Sequence, residues 1–118
     1  MSDEIIDVNE VLDRVQNDKD LLVELLDIFK EDFLEKRKLL EQALKKTDWE
    51  QLKSVAHSLK GASGNISAKR INSSLIRLEQ LAKNKDSNQI VETFKALDQQ
   101  YSELKTHIER IKGDFKKY

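Results

Sequence analysis

The sequence predicts an all-α protein: an antiparallel up-down four-helix bundle with a short N-terminal helix packed across one end. The 118 residues include no proline and only three glycines, and these two residue types are the strongest helix breakers. Apolar residues recur at helical spacing in five segments. Because the connections are only a few residues long, sequential helices should be antiparallel neighbours. The length suits one domain over residues 1–118, with a bundle core at about 7–111 and a frayed tail at 112–118.

The first two helices are predicted from their caps and apolar faces. Asp7 can cap the first helix, with Glu10 as the reciprocal partner of a capping box. Asp18 can cap the second, a long helix over about 19–46. The apolar face of this long helix widens near its N-terminal end, where three residues are expected to seat the first helix: Leu21, Leu25 and Ile28.

The other three helices follow from similar signals at their starts. Thr47 and Glu50 form a capping box that opens the third helix. Ser67 can cap the fourth helix, and Asp86 with Gln89 can start the fifth.

Composition excludes several function classes. Lys and Arg number 21 against 22 Asp and Glu, so no bulk charge attracts the chain to nucleic acid or an anionic membrane. Without cysteine there is no disulfide framework, zinc–thiolate site or thiol nucleophile. No apolar run is long enough to span a membrane. The N-terminal sequence Met-Ser-Asp-Glu lacks a signal-peptide pattern, so we expect a cytoplasmic protein.

A helical wheel of the third helix places His57 outside the core. The core side of this helix comprises six residues: Leu52, Val55, Ala56, Leu59, Ser63 and Ile66. His57 lies roughly 150° from the centre of that stripe, on the same face as Gly61 and Gly64. Each glycine inside an exposed helix costs about 1 kcal/mol relative to alanine. Two of them beside one histidine indicate that something large has to approach the imidazole.

The residues around His57 suit the acceptance of a group. A neutral imidazole is a nucleophile at physiological pH. Lys60, one turn later, can stabilise an anionic group on the ring. Lys53 lies on the same edge, and Ser54 lies near the other. Since no carboxylate pair, Ser/His/Asp set or phosphate-binding glycine loop is evident, the site can hold a group but not activate one unaided.

These residues resemble a known family. Residues 56–66, A-H-S-L-K-G-A-S-G-N-I, are similar to the signature of histidine-containing phosphotransfer (HPt) domains, roughly A-H-x-L-K-G, small residues, then N-x-G-A. The lead-in at 48–50 and the run at 75–79 also resemble the family, and the similarity covers about 7–111. Where the family often has glycine, this chain has Ser67, so we expect a changed turn and an intact site.

The resemblance implies a phosphorelay intermediary of two-component signalling. His57 would accept a phosphoryl group from the aspartate of a receiver domain, often within a hybrid sensor histidine kinase, and pass it to another response regulator receiver. Lys60 would neutralise the phosphoryl oxygens, and Gly61 would leave room for the receiver. Glu79 and Lys83 on the fourth helix would orient or shield the histidine.

The same resemblance sets the expected cofactors and partners. Mg²⁺ is expected only in the receiver, so the chain should need no cofactor or metal site and should not be an enzyme on its own. We expect a monomer whose docking surface surrounds His57 and includes the outer faces of the second and third helices. Ile28 and Ile76 are candidate members of that surface.

Two other functions stay open at this point. The chain could be a non-catalytic four-helix adaptor with an incidental histidine. It could also be the phosphoacceptor domain of a chemotaxis-type histidine kinase, against which the sequence offers no ATP-binding segment. His107 is expected to be a partly exposed helical residue without a role.

Overall fold

The structure is a computed structural model that describes residues 5–116. It contains five helices, α1 (Val8–Arg14), α2 (Lys19–Lys45), α3 (Trp49–Asn65), α4 (Lys69–Lys83) and α5 (Ser87–Lys116). Within the described residues there is no strand. None of the helices in this range is both long enough and apolar enough to cross a membrane. The five helices and the absence of strands in the described range confirm the all-α prediction.

The four long helices contact one another in a closed ring. α2 packs against α3 and α5, and α4 packs against α3 and α5, while α1 contacts α2. Residues that pair between α2 and α5 follow opposite orders along the two helices: Lys30 pairs with Glu109, and Arg37 further along α2 pairs with Asp98 earlier in α5. The core lies inside this ring.

Aromatic stacking and leucine packing fill the core. Phe33 of α2 stacks on Tyr101 of α5 with ring centroids 4.3 Å apart, and the Tyr101 hydroxyl donates to the Lys30 carbonyl at 2.7 Å. Burial raises the pKa of Tyr101. The predicted stripe of α3 is buried except for Val55, which is half-buried. The largest fully buried side chains come from all four long helices: Phe33, Leu22, Leu26, Leu40, Leu52, Leu59, Ile71, Leu75, Leu78, Ile90, Leu97 and Leu104.

Two of the predicted caps, on α2 and α5, are confirmed. The Asp18 carboxylate accepts from the Leu21 amide at 3.0 Å. The Asp86 carboxylate accepts from both the backbone and the side-chain nitrogen of Gln89, at 3.1 and 3.0 Å. Each cap satisfies a backbone donor that has no partner within its helix.

The caps predicted at Thr47 and Ser67 are wrong, for one physical reason. Both residues have a left-handed backbone, with φ of 49° and 52°, whereas an N-cap residue normally has extended backbone. Each closes the preceding helix, and the cap falls one residue later. Asp48 accepts from the Gln51 amide at 3.0 Å, while Ala68 precedes α4 with no side-chain cap. At Ser67 the turn thus keeps the conformation that glycine favours.

The capping box predicted for α1 is half correct. Asp7 accepts from the Glu10 amide at 3.1 Å. The Glu10 carboxylate does not reciprocate, because it accepts hydrogen bonds from Ser67, Lys69 and Arg14 instead. These hydrogen bonds, with the Ser67 hydroxyl first and Lys69 next, lower the pKa of Glu10 to about 2.

The position of α1 also differs from the prediction. Leu21 and Ile28 are 39% and 55% exposed, so they do not seat α1, and Leu25 is half-buried. Instead, α1 forms hydrogen bonds with the turn between α3 and α4. The Arg14 guanidinium donates to the Asn65 carbonyl at 2.6 Å, which satisfies a backbone acceptor at the end of α3.

α5 is longer than predicted. The expected bundle core ended near Ile111, but the helix continues to Lys116. Lys112 pairs with Asp27 at 3.2 Å, and Phe115 packs against the core below the ammonium of Lys19. These contacts extend helical structure through residues 112–116; positions 117 and 118 lie outside the described residues.

Candidate functional site

His57 lies in the middle of α3 and points away from the core. Its side chain is 66% exposed, while the neighbouring Ala56 and Leu59 are fully buried. The helical wheel therefore predicted its orientation correctly.

A carboxylate from α4 joins His57 to Lys60. Glu79 Oε2 lies 3.0 Å from His57 Nδ1, and Glu79 Oε1 accepts from Lys60 Nζ at 2.9 Å. The Lys60 ammonium lowers the pKa of Glu79; partial burial opposes this, and the His57 hydrogen bond adds to it. Glu79 is thus a carboxylate at neutral pH. Glu79 lies 22 positions from His57 in sequence, and the pairing of α3 and α4 brings its carboxylate to the imidazole.

The Glu79 contact decides the tautomer of the imidazole. An ionised carboxylate can only accept hydrogen bonds, so the proton in this contact is on His57 Nδ1. In the neutral ring, Nε2 then holds the free lone pair. With Nδ1 engaged by Glu79 and the side chain exposed, Nε2 is the ring nitrogen that can act as a nucleophile.

Polar contacts between α3 and α4 hold this register. Asn72 Nδ2 donates to the Lys60 carbonyl at 2.9 Å and to Ser63 Oγ at 3.1 Å. Ser63 Oγ in turn donates to the Lys60 carbonyl at 2.9 Å. Sequence reasoning missed Asn72, because its spacing from Lys60 becomes meaningful only once the two helices are paired.

The two glycines of α3 differ in their surroundings. A Cβ added at Gly61 would meet nothing within 4 Å, so this position is open to solvent. A Cβ at Gly64 would lie 3.7 Å from Asn72 Nδ2, an ordinary van der Waals contact toward α4. Neither glycine has positive φ, so the backbone conformation requires neither of them. The open space at Gly61 fits the predicted need for outward clearance.

On the α2 side, a second polar contact adjoins His57. Lys36 Nζ donates to Ser58 Oγ at 2.8 Å and to Asp32 at 3.0 Å. Sequence reasoning did not single out these three residues. Ser54, which it did single out, is exposed, and its side chain forms no hydrogen bond with another described residue.

The other predicted residues meet in a groove between α3 and α4. This groove has a volume of about 420 Å³ and is lined by Lys53, Lys60, Ile76, Glu79, Gln80 and Lys83. Four predicted site residues therefore lie together next to the contact between Glu79 and His57: Lys53, Lys60, Glu79 and Lys83.

His107 is separate from this site. It is half-buried on α5 and lines a different groove, together with Ile5 and Arg110. Its position agrees with the predicted partial exposure.

Comparison with known proteins adds a family and a fold. The chain matches the family model described as Hpt domain over residues 24–113, which include α3, α4 and His57. No curated protein matches it significantly. Among solved structures it is similar to the crystal structure of histidine-containing phosphotransfer protein B (HptB) from Pseudomonas aeruginosa PAO1. That match has a TM-score of 0.83 and 22% identity over 98% of each chain.

Proposed function

Since the chain belongs to the Hpt domain family, we propose that it is a phosphorelay intermediary in which His57 carries the phosphoryl group. The donor is a receiver-domain aspartate, including that of a hybrid sensor histidine kinase. The acceptor is the receiver of another response regulator. One observation carries the proposal: an exposed imidazole whose Nδ1 is held by the Glu79 carboxylate.

In the transfer step, the lone pair of His57 Nε2 attacks the phosphorus of the aspartyl phosphate. The bond between phosphorus and the aspartate oxygen breaks, and its electron pair stays on the aspartate carboxylate. Nδ1 keeps its proton, so the phosphorylated ring carries a positive charge. The adjacent Glu79 carboxylate offsets that charge, and this stabilises the transition state in which it develops.

Lys60 and Gly61 support the same step in different ways. Lys60 is one turn from His57 with its side chain 31% exposed, so its ammonium can turn to the phosphoryl oxygens. Gly61 leaves open space beside the ring for the receiver. Lys53, Ser54, Gly64 and Lys83 would play supporting roles at the edges.

This function needs only the chain's own residues and those of its partner. The receiver supplies Mg²⁺, so we propose no cofactor or metal site here, and no enzymatic turnover without the partner. The chain would act in the cytoplasm, as a monomeric single domain.

We also propose that α2 to α5 form an antiparallel up-down four-helix bundle with α1 across one end. The ring of helix contacts supports this topology, as does the opposite order of paired residues in α2 and α5. A similar reversal links α4 to α5, where Arg70 bonds Glu103 and Arg77 bonds Gln89.

The decisive experiment mixes the chain with a phosphorylated receiver and follows the phosphoryl group. We expect an adduct on the chain that is labile in acid and stable in alkali, as a phosphoramidate is. His57→Gln should abolish it, and His107→Gln should not. An adduct that survives in His57→Gln would disprove the proposal.

The same assay separates the other two functions. An adaptor with an incidental histidine would acquire no phosphoryl group from any receiver or kinase. The phosphoacceptor domain of a kinase would be phosphorylated by a separate ATP-binding kinase module and not by receivers.

A further inference from the structure

The groove between α3 and α4 is more positively charged than the chain as a whole. The whole chain has 21 basic and 22 acidic residues. The groove lining contains three lysines, Lys53, Lys60 and Lys83, against the single carboxylate of Glu79. This local charge is therefore a property of the groove and not of the overall composition.

Two of the three lysines are available to a ligand. Within residues 5–116, Lys53 pairs only with Glu50, at 3.5 Å, and the Glu50 side chain is 87% exposed, so the pair is a weak surface one. Lys83 is exposed at the end of α4, and no other described residue bonds its side chain. Lys60, by contrast, is already engaged by Glu79.

The groove also has an apolar element. Ile76 lies on α4 among these charges and is 45% exposed. An exposed isoleucine between lysines suits a ligand that has both an apolar side chain and carboxylates. A small inorganic anion would use the lysines and leave Ile76 exposed.

We infer that this groove is a docking surface for the receiver partner, and that it takes an acidic segment of that partner with an apolar side chain over Ile76. The inference rests on the proposed function. In the transfer step the receiver's aspartate must lie next to His57 Nε2, and the groove begins at Glu79 and Lys60, which contact or adjoin His57. Carboxylates around the receiver's aspartate would thereby come within range of Lys53 and Lys83.

Such a surface mainly raises the rate at which the receiver associates with the chain and the affinity of the complex. Complementary charges raise the association rate, and added salt reduces that gain. The groove lies on the α4 side of His57, and the docking surface predicted from the sequence includes Ile76 there as well as the outer faces of α2 and α3. Contacts on both sides would fix the receiver's orientation over the imidazole.

The test measures transfer from a phosphorylated receiver to the double variant Lys53→Glu/Lys83→Glu. We expect kcat/KM to fall about tenfold at low salt, mainly through a higher KM for the receiver, and the difference to shrink in 0.5 M salt. Ile76→Ser should raise KM severalfold at both salt concentrations. The matched control, Lys95→Glu/Lys105→Glu, makes the same charge change on exposed positions of α5, outside the predicted docking surface.

Several outcomes would overturn the inference. One is an equal loss in the α5 control, which would mean that only overall charge matters. Another is a groove variant with wild-type KM. In an NMR titration of the unphosphorylated chain, amide shifts in the groove that occur with inorganic phosphate but not with the receiver would indicate a small-anion site. Shifts that depend on chain concentration alone would indicate a second copy.

Wild-type behaviour separates this failure from failure of the proposed function. If the wild type transfers normally and the groove variants do too, only the docking surface is wrong. If the wild type accepts no phosphoryl group, the proposed function is wrong and the docking surface falls with it.

Discussion

Glu79 Oε2 lies 3.0 Å from Nδ1 of His57, across the interface between α4 and α3. No residue of α3 provides this contact, because none of the positions three or four residues from His57 is a carboxylate: they are Lys53, Ser54, Lys60 and Gly61. The tautomer of the imidazole, and with it the reactivity of Nε2, therefore depends on the packing of a second helix.

Replacement of Glu79 by alanine tests this dependence. Without the carboxylate, nothing fixes the proton on Nδ1 or offsets the positive ring of the phosphorylated state. We expect transfer to slow at least about tenfold, and ¹⁵N NMR of the imidazole to change from one dominant tautomer to a mixture. Glu103→Ala, which breaks a surface pair with Arg70, serves as the control. An unchanged ¹⁵N spectrum in Glu79→Ala would contradict the positioning role.

Gly61→Gln tests the requirement for clearance. Since the added Cβ meets nothing within 4 Å, the fold should persist, and better helix propensity should raise the free energy of unfolding by about 0.5–1 kcal/mol. Transfer should slow at least about tenfold, as measured by single-turnover kinetics. Gly113→Gln, also in open space, should not affect transfer. Normal transfer in a folded Gly61→Gln variant would show that access does not explain this glycine.

Lys60→Ala tests the role of the ammonium. The variant loses a half-exposed ion pair, which is worth at most about 1 kcal/mol, so the chain should stay folded. We expect the phosphohistidine to hydrolyse severalfold faster and to form more slowly. Lys60→Arg, which keeps the positive charge, should retain most of the wild-type lifetime and rate. Lys95→Ala, which removes another surface lysine, is the control. Equal lifetimes in Lys60→Ala and wild type would remove Lys60 from the site.

The Glu10 carboxylate gives the fold an acid dependence. Hydrogen bonds from Ser67 and then Lys69 lower its pKa from the ordinary 4.5 to about 2. Because the folded pKa is the lower one, Glu10 stabilises the fold fully above pH 4.5, and this stabilisation is lost as the pH falls to about 2.

Urea denaturation between pH 2 and 6 measures this effect. The wild type should lose more stability over that interval than Glu10→Gln, while Glu35→Gln should follow the wild type. Parallel curves for wild type and Glu10→Gln would refute the expectation. Added salt should reduce the difference, because the cluster lies at the surface.

Local signals in the sequence predicted most of the fold. The stripe from Leu52 to Ile66 defines the buried side of α3, and Asp18 and Asp86 mark helix starts, because each signal acts within one or two turns. The caps at Thr47 and Ser67 were wrong since hydroxyl residues at a helix start and in a left-handed turn look alike in sequence. Only the way in which the preceding helix ends separates the two.

The candidate site was predictable in part for a similar reason. The exposure of His57 follows from the periodicity of its own helix. Its contact with Glu79 joins residues separated by 22 positions, and Asn72 lies 12 positions from Lys60. Such pairs depend on the register between two helices, which periodicity does not fix. Family resemblance named Glu79, and nothing named Asn72.

Glycine usage in this chain runs opposite to what stability alone would favour. Thr47, Ser67 and Lys85 have left-handed backbone in the turns after α2, α3 and α4, where glycine would be less strained. Gly61 lies inside a helix, where alanine would be more stable. Laboratory selection for heat resistance would therefore favour two kinds of change with different consequences. Lys85→Gly would raise the stability of the folded protein and leave signalling intact. Bulkier side chains at position 61 would also raise stability, but receivers could then no longer reach His57.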